Sequence, residues 1–149
     1  MRPEDYWIAR GEDVIGLDVL RDGEQARQAA TYQAIAEAIN DWAIFEVLDV
    51  GCNIGALYDW LVAFSKFDYL GIDTNIQAIQ IARKRGLYAG IGNLCYLPYS
   101  DRFFDCVVVK DVIEHLENIE PLREAFRVAA EYAILSTYLP WHDAPSRIV

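Results

Sequence analysis

The residues best suited to chemistry stand in short segments, each following an apolar run. The first is Asp49-Val-Gly51-Cys52-Asn53-Ile-Gly55. Glycine is needed where a tight turn bends the backbone back or a ligand comes close to it. A dinucleotide site would carry G-x-G-x-x-G, whose closely spaced glycines seat a pyrophosphate on a helix N-terminus. Here the spacing is G-x-x-x-G, and an acid precedes it. Asp49 would repel a pyrophosphate but can hold an ammonium group, directly or through water. The segment therefore favours a ligand without phosphate, with an ordinary strand–helix turn as the plainer alternative.

Three further segments carry polar groups at comparable places. Asp73, after Tyr69-Leu-Gly-Ile72, can accept both hydroxyls of a ribose or cap the helix that follows through Thr74 and Asn75. In Gly92-Asn93-Leu94 the amide of Asn93 can pair with a purine edge while Leu94 offers an apolar wall; the plainer reading is an Asn in a turn. Lys110-Asp111-Val-Ile-Glu114-His115 follows a run of valines. Glu114 and His115, together with His142 and Asp143 near the C-terminus, are candidate general bases. The Glu-His pair has no metal-ligand partner pattern, so no metal is expected.

The elements that must position these residues alternate. Helical spacing runs from Glu24 to Trp42, through Ala26, Ala30, Ile35, Ala38 and Ile39. Phe45 to Val50 reads as a buried strand, Gly55 to Phe64 as a helix and Tyr69 to Ile72 as a strand. Asn75 caps a helix to Arg85 that Gly86 ends. Tyr88 to Ile91 is a weaker strand, Asn93 to Arg102 a loop, and Phe103 to Val109 a strong β-branched strand. A helix over Ile119 to Ala130, with Pro121 in its first turn, and a strand over Tyr132 to Thr137 complete the series. Such alternation predicts an α/β fold: a Rossmann-like three-layer sandwich with a mainly parallel sheet. Ligands in such sheets bind outside the carboxyl ends of the strands, where the polar segments fall.

The 149 residues suit one domain, divided as a cap and helix over 1–42 and a ligand-binding core over 43–140. A hydrophobic fraction of 54% excludes disorder, and a net charge of −10 disfavours bulk binding to nucleic acid. Arg83-Lys84-Arg85 is the tightest basic cluster, and it falls where cations suit a helix C-terminus. Met1-Arg-Pro-Glu-Asp lacks a signal-peptide core, and no apolar run reaches membrane-spanning length. Cys52, Cys95 and Cys106 form no CxxC and are odd in number, as expected of a cytoplasmic protein without a disulfide framework.

Five segments together resemble the class I S-adenosylmethionine-dependent methyltransferases, specifically their type 11 branch. They are Val47-Leu-Asp-Val-Gly-Cys-Asn-Ile-Gly55, Gly71-Ile-Asp-Thr-Asn75, Gly92-Asn-Leu-Cys-Tyr-Leu-Pro98-Tyr, Phe103-Phe-Asp-Cys-Val-Val-Val109 and Asp111-Val-Ile-Glu-His-Leu116. They occur in the family's order and cover roughly Phe45 to Leu139. The resemblance implies S-adenosyl-L-methionine as cofactor and S-adenosyl-L-homocysteine as product. It implies that Asp49, Gly51, Cys52, Asn53 and Gly55 surround the methionine part, and that Asp73 and Thr74 lie at the ribose. Asn93 and Leu94 would meet the adenine, and Lys110 and Asp111 would close the pocket. The N-terminal Tyr6, Trp7 and Arg10 would fold over it as a lid or pack on the sheet.

Three departures from the family pattern bear on activity. Asn53 replaces the usual central glycine, though Asn tolerates left-handed backbone. Asn93 replaces the usual Asp, keeping an acceptor without the charge. The family's sheet normally has two more strands after the fifth, so a sheet truncated there is expected. The leading expectation is methyl transfer to a small-molecule acceptor. The competing one is a catalytically inactive cofactor-binding module with a regulatory or partner-binding role. A nicotinamide oxidoreductase is disfavoured by the glycine spacing.

Overall fold

The computed structural model of the protein describes residues 22–64, 66–137 and 147–148. The candidates Tyr6, Trp7, Arg10, His142 and Asp143 lie outside the described residues. Helix α1 (Asp22–Asp41) precedes β1 (Glu46–Val50), α2 (Ala56–Leu61), β2 (Asp68–Asp73), α3 (Ile76–Lys84) and β3 (Ala89–Ile91). Then come β4 (Phe104–Lys110), a 3-10 turn (Ile113–His115), α4 (Leu122–Val128), β5 (Ala129–Thr137) and the short β6 (Arg147–Ile148). The sheet order is β3-β2-β1-β4-β5-β6. The first five strands are all parallel, and β6 adds two antiparallel pairs, Ser136 with Ile148 and Thr137 with Arg147. This is the expected three-layer α/β architecture, with β1 at its centre.

The period of two along the strands divides the core into two layers. Val47, Cys106, Val108 and Ile134 face one side, where Ile35 and Ile39 of α1 and Leu57 and Leu61 of α2 cover them. Leu48, Val50, Val107 and Val109 face the other, with Ala125 and Val128 of α4 and with Leu94 and Leu97. Each fully buried aliphatic side chain contributes about 1.5–3 kcal/mol. Strands clothed on both faces are largely apolar, as Val47-Leu48 of β1 and Cys106–Val109 of β4 are, with Asp49 and Lys110 the buried exceptions.

Several boundaries depart from the sequence reading. The last helix is shorter than Ile119 to Ala130, with Pro121 at its N-cap rather than inside its first turn. Ala129 and Ala130 open β5 instead, because pairing of Ala129 with Phe104 draws the backbone extended (φ −78°, ψ 127°). Alanine suits a helix in isolation, and the sheet overrides it. The Gly55–Phe64 helix is similarly confined to Ala56–Leu61. β6 has no counterpart in the sequence reading. Cys52, Cys95 and Cys106 are all free thiols. No helix among the described residues is long and apolar enough to cross a membrane.

Candidate functional site

β1, β2 and β4 end side by side, and the polar residues read from the sequence gather around those ends. After β1 the chain turns through Gly51 (φ +80°), Asn53 (φ +51°) and Gly55 (φ +87°). Asn53 thus adopts the left-handed conformation that its side chain tolerates. The turn is fastened to β2, since the backbone N–H groups of Gly51 and Cys52 both donate to Ile72 O, at 2.8 and 3.0 Å. The structure also gives the glycines their reason. A Cβ on Gly51 would lie 2.4 Å from Cγ2 of Val112, and one on Gly55 would lie 2.9 Å from Cδ2 of Leu87. Arg85, just past α3, donates to Ile54 O at 2.6 Å and pairs with Asp59. Arg83 donates to Ala89 O at 2.7 Å, so these two members of the basic cluster serve the fold.

Asp73 joins this turn to the next one. Its Oδ2 accepts from Asn53 N and its Oδ1 from Asn75 N, both at 2.8 Å. Asn75, not Asp73, caps α3, accepting from Gln77 N and Ala78 N. Thr74 lies between the two. Burial pushes the Asp73 carboxyl up, and the backbone N–H groups of Asn75, Asn53 and Thr74 oppose that shift. Each carboxylate oxygen has a second lone pair, so the bracket leaves acceptor capacity for two further hydroxyls.

At these strand ends lies a buried polar group the sequence only half disclosed. Asp49 is 4% exposed, and its Oδ2 accepts from the Tyr69 hydroxyl at 2.7 Å. Burial pushes its carboxyl up to about 6, against the Tyr69 hydrogen bond and the attraction of Lys110. Lys110, itself 8% exposed, donates to Asp111 Oδ2 and to Gln28 Oε1, and its Nζ lies 4.4 Å from the centre of the Tyr32 ring. Gln28 Nε2 donates to the same Asp111 oxygen at 2.9 Å. Asp111 has a left-handed backbone (φ +54°), held by donation of its N–H to Ser136 O. One turn of α1, from Gln28 to Tyr32, is thereby joined to the end of β4. Cys52 is buried, and burial with the nearby Asp49 and Asp73 charges pushes its thiol well up, which makes it a packing group rather than a nucleophile.

The remaining candidates are placed less centrally. Asn93 is exposed, and its Oδ1 accepts from Cys95 N at 2.8 Å in a local turn. Leu94 is 3% exposed, and its side chain packs in the core with Leu48, Val50 and Ile72. Glu114 accepts from the Thr137 hydroxyl at 3.0 Å, and His115 lies beside it in the 3-10 turn. Tyr69, Tyr32 and Gln28 were missed by sequence reasoning. A mid-strand glycine two residues after a tyrosine was the available signal for Tyr69. Gln28 and Tyr32 left none, because their partners are some eighty positions away.

Residues 48–136 match the family model described as a methyltransferase domain. Among curated proteins, the chain is 32% identical to a botryococcene C-methyltransferase of Botryococcus braunii over 102 residues, covering 62% of this chain and 27% of that protein. It is 31% identical to a probable tRNA methyltransferase 9B of Mus musculus over 97 residues, covering 62% of this chain and 21% of that protein. It thus spans well under half the length of these relatives. Among solved structures, phosphoethanolamine N-methyltransferase 1 of Haemonchus contortus, in complex with phosphoethanolamine and S-adenosylhomocysteine, superposes with a TM-score of 0.73. That match has 17% identity and covers 97% of this chain and 36% of that one, so it speaks to the fold. With its fold, its glycine turn and the family match all in agreement, the chain belongs to the methyltransferase-domain family.

Proposed function

We propose that the protein is an S-adenosylmethionine-dependent methyltransferase acting on a small-molecule acceptor. The observation that carries this reading is the Asp73 bracket. One carboxylate ties the Gly51–Gly55 turn to the start of α3 through Asn53 N and Asn75 N, while keeping lone pairs for a diol. Turn and carboxylate thereby form one rigid unit suited to a nucleoside with a cationic tail. Asp49 supplies the counter-charge for that tail, and Asn93 and the backbone at Leu94 border the place of the base. Lys110 and Asp111 close the opposite side.

When bound, the cofactor supplies a methyl group already activated by the sulfonium charge. The protein's share is positioning, because a properly oriented acceptor needs little further help. A base is needed only for an acceptor that must lose a proton, and Glu114 and His115 are the described groups nearest that task. A net charge of −10 supports a small acceptor over a nucleic acid. The three free thiols support a reducing, cytoplasmic setting.

Calorimetry with S-adenosylhomocysteine, run beside NADH, tests the reading. Binding of the former alone is expected, and its absence from folded protein would overturn it. Binding without catalysis is the second reading, favoured by the turn of the Asn93 carbonyl toward Cys95 N. Methyl transfer to a mixed metabolite extract separates the two.

A further inference from the structure

We infer that Tyr69 is a positioning residue for cofactor recognition, its hydroxyl aligning the Asp49 carboxylate as the acceptor for the cofactor's α-ammonium. The inference rests on the S-adenosylmethionine reading and adds to it a residue outside the glycine turn. Its basis is the register of the central strands. Val47 stands opposite Tyr69, and Asp49 stands opposite Gly71. Side chains two apart share a face, so the phenol must cross one row of the sheet to reach Asp49. It does so through the space that Gly71 leaves open. A Cβ on Gly71 would lie 3.0 Å from the Tyr69 hydroxyl and 2.7 Å from Cys52 Sγ.

Packing fixes the direction of the phenol. Tyr69 is 7% exposed, and the Tyr58 ring meets it edge-on with centroids 5.4 Å apart. A phenylalanine would fill the same volume without placing a hydroxyl in the interior, where an unpartnered one is costly. The hydroxyl has its partner in Asp49 Oδ2. With Oδ2 so held, Oδ1 is the oxygen offered to a cation.

The remaining groups around Asp49 set its charge. Lys110 of β4 attracts it, and Asp73 at the end of β2 repels it. The Tyr32 phenol of α1 and the Cys52 thiol of the turn are near enough to feel its charge. Of these, Tyr69 gives the largest support to the ionised form. Removal of its hydroxyl therefore leaves Asp49 more protonated near neutral pH.

Tyr69→Phe is the direct test, read by calorimetry against pH with two probes. S-adenosylhomocysteine carries the amino acid, and 5′-methylthioadenosine lacks it. Near pH 5 the variant is expected to bind the first about tenfold more weakly, narrowing to about twofold at pH 7, and to bind the second as the wild type does. The acid limb of S-adenosylhomocysteine binding should move up by about one pH unit, with affinity recovering above it. Unchanged affinities and profile would overturn the inference. So would an equal loss for both probes at every pH, which is the mark of a purely structural role. Asp49→Asn keeps an oxygen for the Tyr69 hydroxyl and serves if Tyr69→Phe does not fold. Its S-adenosylhomocysteine affinity should be low and free of the acid limb, and a persisting limb would sink the proposal. A folded wild type that binds neither probe overturns the functional reading itself.

Discussion

Gly51 and Val112 pack so closely that the side chain glycine lacks would fall 2.4 Å from Cγ2 of Val112. Gly51→Ala must move Val112 and also hold an L-residue at φ +80°. The two effects together should cost about 2–4 kcal/mol of stability. Urea unfolding should show a lower midpoint with an unchanged m-value. A change below 0.5 kcal/mol, on the order expected of a surface substitution, would mean the turn relaxes freely.

Asp73→Ala removes the bracket and, with it, the proposed diol acceptor. S-adenosylhomocysteine affinity should fall at least tenfold, about 1.4 kcal/mol. Asp73→Asn sharpens the test, because its NH2 must face one of the two backbone N–H groups the carboxylate now accepts. It should bind weakly as well. Full affinity in either folded variant would show that the ribose hydroxyls bond elsewhere.

Asp49 makes the free protein less stable as the pH rises. Its carboxyl, pushed up to about 6 in the fold, titrates at 3.8 when unfolded, so the native state holds the proton longer. Stability is therefore lost as pH rises from 3.8 through about 6, and the penalty is complete above that. Asp49→Asn should stabilise the free protein by about 3 kcal/mol at pH 8 and by almost nothing at pH 3. Paired unfolding curves at the two pH values check this, and equal effects would refute the buried titration.

Glu124 acts in the opposite sense. Arg127 grips it through Nε and Nη2 while also reaching Asp101 and the carbonyls of Leu97 and Tyr99. The guanidinium and Leu97 N hold the Glu124 carboxyl down at about 2, below its ordinary 4.5. Its contribution is thus present above pH 4.5 and is lost as pH falls toward 2. Glu124→Gln should flatten that acid limb and speed amide exchange over residues 97–101 about tenfold. Unaltered exchange at Leu97 would show that the loop is held by its apolar contacts alone.

The order of elements was legible because apolar runs on doubly covered strands and capped helices carry their signals locally. Asn75 and Gly86 marked the ends of α3 in the sequence, and both perform there. The end of α4 was not legible, since Ala129 and Ala130 are decided by a partner strand far along the chain. The same divide runs through the site. Gly51, Gly55 and Asp73 stood out by their spacing, and Asn53 by its departure from the family pattern. Leu94 reads as an apolar wall in the sequence, yet its side chain is claimed by the core. Tyr69 looked like an ordinary strand residue, because its role depends on the register between two strands.

The knot of Gln28, Lys110 and Asp111 also bears on when this end of the sheet can be completed. α1 precedes the strands, yet the groups that tie Gln28 down, Lys110 and Asp111, stand at the end of β4 and just past it. The central strand β1 likewise waits for both its neighbours, β2 and β4. Before β4 is in place, α1 has its apolar packing on Val47, Leu57 and Leu61 but not these polar ties. Contacts so distant in sequence form slowly, because loop closure must precede them. The polar ties of α1 are thus expected to form after its apolar packing, which fixes the helix on the sheet before it fixes the helix at the strand ends.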